Sequence, residues 1–383
     1  MKIAIPKERR AGERRVAASP DTVKKYKALG LDVHVEAGAG EGASIPDRAF
    51  ADAGAEIGED AAATLADADI VLKVQRPTLA ADGMDELSLM KRGALLIGML
   101  NPHGARDLLP AYADAGVTAL SMELVPRITR AQSMDVLSSQ ANLAGYRAVL
   151  DAAYEFGRAF PMMMTAAGTV PPARCLVMGV GVAGLQAIAT AKRLGAVVSA
   201  TDVRPAVKEQ VQSLGGTFVA VEDEEFKQAE TAGGYAKEMS KEYQAKQAAL
   251  IADTIRKQDI VITTALIPGR PAPRLVSDEM LASMKPGAVV VDLAVEAGGN
   301  VEGSSAGEVV VRHGVRIVGH ANMPSRIAVD ASQLYARNLL ALVQLFFGQD
   351  KAFAVPWDDE IVKAVALTRD GAVIHPAFSG QTA

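Results

Sequence analysis

Three glycines stand at a spacing that could bind phosphate groups through the main chain. Residues 175–184 read Cys-Leu-Val-Met-Gly-Val-Gly-Val-Ala-Gly, so Gly-x-Gly-x-x-Gly follows a predicted strand directly and opens a predicted helix. In this pattern Gly179 permits a tight turn, Gly181 lets the backbone approach a pyrophosphate, and Gly184 lets the helix pack closely on the strand. The N–H groups of the helix N-terminus would then face the phosphates.

A carboxylate follows the next predicted strand, residues 197–201. Asp202 stands at the end of that strand, 18 residues after Gly184. A carboxylate there accepts hydrogen bonds from both ribose hydroxyls and repels a 2′-phosphate, so the pattern predicts NAD(H) rather than NADP(H). Arg204 could accept a 2′-phosphate, but the acid comes first. We therefore expect Arg204 over the adenine or on the surface.

The elements that must position this motif alternate along the chain. Short apolar runs alternate with alanine-rich stretches of helical spacing, which predicts parallel sheets covered on both faces. The strands expected in the first half are 2–6, 32–36, 70–74, 94–99 and 117–121. The strands expected in the second half are 174–178, 197–201, 217–221, 260–264, 288–293, 309–312 and 316–318.

Two long helical stretches, about 133–160 and 332–347, are predicted to join two lobes. At about 150 residues per domain, the 383 residues predict two to three domains. We expect an α/β chain of two Rossmann-like, doubly wound parallel-sheet domains joined by long helices, with a cleft between them. The N-terminal Rossmann-like domain is expected at 1–132 and 349–383. The NAD-binding Rossmann domain is expected at 133–348, with connecting helices at both ends.

The composition excludes several classes of function. Charged residues make up 22% and the net charge is −5, which disfavours a nucleic-acid-binding protein. No apolar run approaches the roughly 18–20 residues of a membrane span. The single cysteine excludes an internal disulfide, and the five histidines have no ligand spacing. We therefore expect a soluble cytoplasmic chain without a metal.

Two stretches resemble a known family without separating its members. Residues 5–8 (Ile-Pro-Lys-Glu) and 13–20 (Glu-Arg-Arg-Val-Ala-Ala-Ser-Pro) are similar to the opening signature of alanine dehydrogenases and of the NAD(H)-binding alpha subunit, domain I, of proton-translocating NAD(P) transhydrogenase. The sequence departs from that signature at Ala4 and at residues 12–13. The nucleotide motif is also common to both groups, and the resemblance covers essentially the whole chain.

Three segments resemble the transhydrogenases rather than the dehydrogenases. Residues 126–142 are similar to the transhydrogenase loop that carries an arginine, a glutamine and an aspartate. Residues 233–240 resemble the mobile loop that closes over bound nucleotide, and they lie within 223–247, whose length without clear periodicity predicts a functional loop. Residues 291–299 contain Glu296 where the dehydrogenases carry an aspartate.

The resemblance implies roles for particular residues. It implies a catalytic set of Arg127, Gln132 and Asp135 that holds the nicotinamide end of the nucleotide. The residues expected to bind the cofactor are Ser138, Gly179, Gly181, Val182, Gly184, Asp202, Val203, Arg204, Gly234, Tyr235, Ala265 and Leu266. The residue pattern alone leaves open that Arg127 and Asp135 form an ion pair between lobes, and that Tyr235 is a solvated loop residue rather than part of a lid.

The resemblance also implies a function. It implies a Re/Si-specific, proton-translocating NAD(P)⁺ transhydrogenase subunit that binds NAD(H) and passes hydride to NADP⁺ on a partner domain. The implied assembly is a homodimer with a membrane-spanning partner subunit, peripheral on the cytoplasmic side of the inner membrane. Hydride transfer between two nicotinamide rings needs orientation and dryness more than acid–base chemistry, which suits a chain without a clear His–Asp pair.

Two other functions stay open. The first is an alanine dehydrogenase-like amino-acid oxidoreductase, because Arg15 and Lys73 match that enzyme's substrate-carboxylate and catalytic positions. His103 lies near the expected place of the dehydrogenase histidine, but no histidine stands at the place itself. The second is a regulatory module that senses NAD.

Overall fold

Two parallel sheets organise the chain, and each belongs to its own unit. The computed structural model describes residues 1–227, 239–267, 269–348 and 350–380. Unit 1 comprises Met1–Gln140 and Pro324–Ala383, and unit 2 comprises Ala141–Met323. The fold is therefore α/β with two Rossmann-like units, as the sequence predicts. The boundaries between the units lie at 140/141 and 323/324, whereas the sequence pattern predicts domain boundaries at 132/133 and 348/349.

Unit 1 begins with six strands that all pair in parallel, in the order β3-β2-β1-β4-β5-β6. The strands are β1 Lys2–Ile5, β2 Asp32–Glu36, β3 Glu56–Gly58, β4 Ile70–Gln75, β5 Leu95–Met99 and β6 Thr118–Ser121. The helices between them are α1 Pro20–Ala28, α2 Asp47–Asp52, α3 Ala61–Leu65 and α4 Leu109–Asp114. The five strands expected here are confirmed to within one residue at each end. The short β3 was missed.

The long helix α5, Val136–Glu155, carries the chain from unit 1 into unit 2. A hairpin follows, formed by β7 Met163–Thr165 and β8 Gly168–Val170. The strands of the unit 2 sheet are β9 Arg174–Met178, β10 Val197–Thr201, β11 Thr217–Phe218, β12 Ile260–Thr263, β13 Val289–Asp292, β14 Val309–Arg312 and β15 Val315–Val318. The helices of unit 2 are α6 Val182–Arg193, α7 Val207–Ser213, α8 Glu224–Lys227, α9 Lys241–Ile255 and α10 Asp278–Ser283.

The unit 2 sheet has the strand order β11-β10-β9-β12-β13-β15-β14, parallel except for the edge strand β14. The strands β12 and β13 are buried over their whole length, because helices cover both faces of the sheet. The order reverses at β9, which lies between β10 and β12. Met178 pairs in register with Thr201 on one side and with Thr263 on the other. The carboxyl ends of these three strands are therefore level, and the segments after them meet at one edge.

The chain then returns to unit 1 through α11, Ala328–Gln344, and α12, Glu360–Val365. The hairpin β16 Thr368–Arg369 and β17 Ala372–Val373 is the last pair of strands in the described residues. The apolar face of α11 belongs to the unit 1 core, in which Tyr335, Leu339 and Val343 are fully buried. This packing is why the unit boundary precedes the helix instead of following it.

Candidate functional site

The glycine turn between β9 and α6 excludes side chains at two positions and leaves room at the third. Gly179 has φ +101°, and a Cβ there would lie 2.5 Å from Thr264 Oγ1. A Cβ on Gly184 would lie 1.9 Å from the carbonyl oxygen of Gly179, so the helix can approach the turn only with glycine there. A Cβ on Gly181 would meet no atom within 4 Å. The exposed backbone at Gly181 therefore faces open space.

This space fits an anion such as a pyrophosphate. Gly181 is the N-cap of the twelve-residue helix α6 and supplies no side-chain hydrogen bond to it. The first amides of a helix have no partner within the helix, and the helix dipole adds a partial positive charge. The absence of a side chain at Gly181 lets a phosphate reach these amides. The residues predicted to hold the pyrophosphate thus fit that group in the structure.

Asp202 stands at the end of β10 and is held in place by its neighbours. Its side chain is only 6% exposed. Burial by itself raises the pKa of the carboxyl, but the hydrogen bonds from Arg204 and from the N–H of Val180 outweigh it and lower the pKa below its usual value. Asp202 is therefore an ionised acceptor at neutral pH. The link to Val180, 2.7 Å long, also ties the end of β10 to the glycine turn.

Arg204 contacts this carboxylate directly. Its Nε and Nη2 donate to Oδ1 and Oδ2 of Asp202, both at 2.9 Å. The guanidinium is 30% exposed. The fork geometry of arginine suits this two-point contact. The contact could not be predicted from the sequence. A side chain that lies two residues beyond the end of a strand can point in many directions.

Exposed apolar side chains follow each of the three level strands. Val182 opens α6 after β9, Val203 follows β10, and Leu266 follows β12. They are 38%, 53% and 57% exposed. A planar base can cover such surfaces, and the nucleotide contacts expected at these three residues stay a prediction. Ala265, the remaining predicted contact on this side, precedes Leu266 and is partly buried.

Asn300 holds this loop, and no pattern in the sequence pointed to it. Its side chain is fully buried; Oδ1 accepts from the N–H of Ala265 at 3.0 Å, and Nδ2 donates to the carbonyl oxygens of Ala265 and Pro273. Thr264 extends the link, since its hydroxyl donates to the carbonyl oxygen of Gly179 at 3.0 Å. The strand end of β12 and the glycine turn are therefore fixed to each other.

In unit 1, the predicted catalytic loop exposes two of its three residues. Arg127 follows the 3₁₀ turn Met122–Leu124, and Gln132 lies on the 3₁₀ helix Thr129–Met134. Both are exposed, and neither side chain has a hydrogen bond or ion pair with any residue that the structure describes. Their polar groups are thus available to a ligand. Arg127 and Asp135 do not form the ion pair that the residue pattern left open.

Asp135 has a structural role as well. It directly precedes α5, and its Oδ1 accepts from the N–H of Ser138 at 2.9 Å while its Oδ2 accepts from the Ser138 hydroxyl at 2.5 Å. An aspartate at this position satisfies an amide of the first helical turn. Asp135, expected in the catalytic set, and Ser138, expected to bind the cofactor, thus form one hydrogen-bonded pair.

The residues between the exposed ones anchor the loop. Ala131 and Met134 are buried in the unit 1 core. Asn338 of α11 donates to the carbonyl oxygen of Ser133 at 2.8 Å. Arg130 donates to Asp359 and to Glu360 at the start of α12. A short 3₁₀ helix has little stability of its own, so these anchors define where Gln132 lies.

Gly234 and Tyr235 lie outside the described residues. The predicted functional loop, 223–247, is corrected at its ends, because it contains α8 and the first half of α9. Glu225 of α8 accepts hydrogen bonds from the N–H and the hydroxyl of Ser240, the N-cap of α9. The ends that flank the segment are therefore joined.

A buried charged cluster in unit 1 joins Lys73 of β4 to residues that follow β1 and β4. Lys73, 1% exposed, donates to both carboxylate oxygens of Glu86 at 2.9 Å and lies 3.5 Å from Glu8. The guanidinium of Arg15 binds both oxygens of Glu13 and the side-chain oxygen of Gln140. Each of the two cations thus already has a partner inside the chain.

Neither a metal centre nor a membrane span is found in the residues that the structure describes. Within 1–227, 239–267, 269–348 and 350–380, no group of three His, Cys, Asp or Glu side chains is placed to hold a metal ion. None of the helices in these ranges is long and apolar enough to cross a membrane.

Comparison with family models decides the relationship. Residues 4–144 match the model described as alanine dehydrogenase/PNT, N-terminal domain, and residues 148–376 match the model described as alanine dehydrogenase/PNT, C-terminal domain. The chain belongs to the alanine dehydrogenase/PNT family. Membership in this family, together with the Rossmann-like units, implies a nicotinamide nucleotide-binding chain of an oxidoreductase family.

Relatives within the alanine dehydrogenase/PNT family include both branches. The chain is 62% identical to the first part of the NAD(P) transhydrogenase subunit alpha of Rhodospirillum rubrum over 384 residues, which covers 100% of both chains. It is 33% identical to the alanine dehydrogenase of Mycobacterium tuberculosis over 307 residues, 79% of this chain and 75% of the relative. The crystal structure of the transhydrogenase from Sinorhizobium meliloti superposes with a TM-score of 0.89 and 59% identity, covering 98% of this chain and 100% of that one.

Proposed function

We propose that the chain is the NAD(H)-binding component of a proton-translocating transhydrogenase of the Re/Si-specific class. It would bind NADH and pass a hydride to NADP⁺ held on a partner domain. The observation that carries the proposal is the open space at Gly181, at the N-terminus of α6, with the ionised Asp202 tied to the same turn through the N–H of Val180. The similarity to a transhydrogenase alpha subunit over the full chain supports the same assignment.

Each group of residues has a distinct task in this proposal. The nicotinamide ring supplies the hydride when the nucleotide is bound. The first-turn amides of α6 bind the pyrophosphate, and Asp202 accepts from the adenosine ribose. Val182, Val203 and Leu266 cover apolar parts of the nucleotide and exclude water. The catalytic loop of unit 1 is assigned to orientation: the donors of Arg127 and Gln132 have no partner among the described residues, and Asp135 with Ser138 forms a fixed acceptor.

No proton needs to move at the reacting carbon, so the chain needs no general acid or base for this step. Orientation then limits the rate, because the donor and acceptor carbons must come within about 3–3.5 Å. The anchors at Arg130, Ala131, Ser133 and Met134 suit that demand. The hydrogen bonds of Val180, Thr264 and Asn300 meet the same demand in unit 2, because they hold the glycine turn and the loop after β12 in place.

We also propose that two copies pair as a homodimer. The hairpin β7–β8 and the residue before it expose large apolar side chains, since Met164 and Met162 are 81% and 60% exposed, and Tyr154 of α5 is 87% exposed. A lone two-stranded hairpin is marginally stable in water, and large exposed apolar groups favour an interface. Sedimentation velocity of Met164→Glu should show dissociation, whereas Val311→Glu, on the edge strand β14, should not dissociate the dimer.

The partners and the location follow from the proposed activity. Proton movement would be carried by a separate membrane-spanning subunit, and the NADP(H)-binding domain would dock on this chain. The chain would then be peripheral on the cytoplasmic side of the inner membrane. The Rhodospirillum rubrum relative is named as one of the parts of a subunit alpha, which supports a divided assembly of this kind.

The alanine dehydrogenase alternative finds less support. That activity needs a free cation to bind the carboxylate of a small acid. Arg15 and Lys73 are nearly buried, and each already binds carboxylates of the chain, Glu13 and Glu86. Buried cations with internal partners are costly to rearrange.

The test uses the purified chain with NADH. Addition of the partner domain, loaded with an NADP⁺ analogue whose reduced form absorbs at a different wavelength from NADH, should permit oxidation of NADH coupled to reduction of the analogue, which absorbance follows directly. The chain with NADH, pyruvate and ammonia should show no turnover. Turnover with pyruvate and ammonia would contradict the proposal, and tight NADH binding without transfer to any partner would favour the sensor function.

A further inference from the structure

The carboxylate of Asp202 accepts four hydrogen bonds, and two of them come from one guanidinium. Oδ1 accepts from the backbone N–H of Arg204 and from its Nε, both at 2.9 Å. Oδ2 accepts from the N–H of Val180 at 2.7 Å and from Nη2 of Arg204 at 2.9 Å. A carboxylate offers about four lone-pair sites. These four donors fill them.

The four donors differ in how easily they can leave. The two backbone N–H groups belong to the glycine turn and to the end of β10, and both stay in place when the side chain of Arg204 moves. Withdrawal of the guanidinium would therefore free one acceptor site on each oxygen. Two vicinal ribose hydroxyls need one site on each oxygen of a carboxylate. The guanidinium fork thus occupies the same two sites that a ribose diol would take.

We propose that Arg204 is an internal competitor for the ribose site, which the 2′,3′-diol of the nucleotide must displace from Asp202. The inference rests on the proposed function, because it assumes that unit 2 binds a dinucleotide. The exposure of the two side chains agrees with a mobile guanidinium and a fixed carboxylate, since Arg204 is 30% exposed and Asp202 only 6%.

The same pair sets the discrimination between NADH and NADPH. Asp202 alone would repel a 2′-phosphate, but Arg204 neutralises it and remains within reach of the phosphate after displacement. Arg204 therefore lowers the affinity for NADH and raises the affinity for NADPH. Removal of the guanidinium should change the two affinities in opposite directions, which a purely structural role would not do.

The experiment compares Arg204→Met with the unaltered full chain. Fluorescence titration should show that the dissociation constant of NADH falls by about fivefold and that of NADPH rises by about twofold, so their ratio changes about tenfold. Arg204→Lys keeps the charge without the fork, so NADH should bind more tightly while NADPH binding stays unchanged. Arg256→Met removes an equal charge from the end of α9, before β12 begins, and should change neither constant.

The outcomes separate the inference from the proposed function. Weaker NADH binding by Arg204→Met would overturn the inference, because the guanidinium would then contact the nucleotide directly. Equal shifts for NADH and NADPH would overturn it too. An unaltered chain that binds neither nucleotide would instead overturn the proposed function, and the inference with it.

Discussion

The guanidinium of Arg130 donates to both carboxylate oxygens of Asp359, at 2.7 and 3.0 Å. Asp359 is at the same time the N-cap of α12, where it accepts from the N–H of Ile361 at 2.8 Å. Ile361 is buried in the unit 1 core. Arg130 therefore ties the loop that bears Arg127 and Gln132 to a helix that cannot move independently of the core.

Arg130→Met should loosen this loop without unfolding the unit. We expect faster hydrogen exchange of the amides in Thr129–Met134, measured by mass spectrometry, because the anchor at α12 is lost. Hydride transfer should fall by about tenfold, since orientation errors are costly at a reacting centre, while the dissociation constant of NADH stays unchanged. Arg256→Met is the matched control. Unchanged exchange in Thr129–Met134 would show that Arg130 does not anchor the loop.

Two glycines of the nucleotide turn should respond to the same substitution in different ways. Gly184→Ala places a Cβ 1.9 Å from the carbonyl oxygen of Gly179 and should lower the free energy of unfolding by about 1–3 kcal/mol. Gly181→Ala meets no atom, and its φ of −81° suits alanine, so the free energy of unfolding should change by less than about 0.5 kcal/mol. Gly181→Ala should nevertheless weaken NADH binding by blocking the phosphate.

Urea unfolding and fluorescence titration with NADH check both glycine variants. Each variant is the control of the other, because the added methyl group is the same. Full NADH affinity in Gly181→Ala would remove this turn from the nucleotide site.

Substitutions of Gln132 and of Asp135 should distinguish a role in orienting the nucleotide from a role in stabilising the fold. Gln132→Ala removes an exposed amide without a described partner, so the free energy of unfolding should stay the same while single-turnover hydride transfer slows more than binding weakens. Asp135→Ala removes the cap of α5 and should cost about 1 kcal/mol of stability. Asp135→Asn keeps an acceptor for the N–H of Ser138 and should recover most of that loss. Equal stability of the three variants in urea would contradict the capping role.

The sequence could predict the strands and the glycine turn because their signals are local. Residues 174–178 and 197–201 are short apolar runs, and they appear with those bounds as β9 and β10. Gly179 and Gly184 are correctly predicted at the turn, because the main chain leaves no room for a side chain at either position. The two-unit α/β fold follows from the alternation of such segments.

Features that the sequence could not predict depend on side-chain contacts or on weak periodicity. The first turns of α9 read Lys-Glu-Tyr-Gln-Ala-Lys-Gln and lack an apolar stripe, so their pattern predicts a loop instead of a helix. Asn300 acts on Ala265 across 35 residues of chain, and no local signal marks it. The contact of Arg204 with Asp202 could be predicted only if the direction of the Arg204 side chain were known.

Glu13 should make the free energy of unfolding depend on pH in the acidic range. Its side chain is fully buried. Burial alone would raise the pKa of the carboxyl, but hydrogen bonds from Arg15 and Gln75 outweigh it and lower the pKa to about 2. The group is thus ionised more readily in the folded chain than in the unfolded chain, where its pKa is near 4.5. Its stabilisation is complete above pH 4.5 and is lost as the pH falls towards 2.

Urea unfolding of Glu13→Gln at pH 7 should therefore show a loss of about 3 kcal/mol or more. The loss relative to the unaltered chain should shrink at about pH 3.5, where the unaltered chain has itself lost some of the stabilisation. Glu8→Gln is the control of opposite sign: burial raises the pKa of Glu8, and its Oε2 has no hydrogen-bond partner among the described residues. That substitution should stabilise the chain at pH 7, with a gain that also fades in acid. A pH-independent difference for Glu13→Gln would mean that its carboxyl titrates alike in both states.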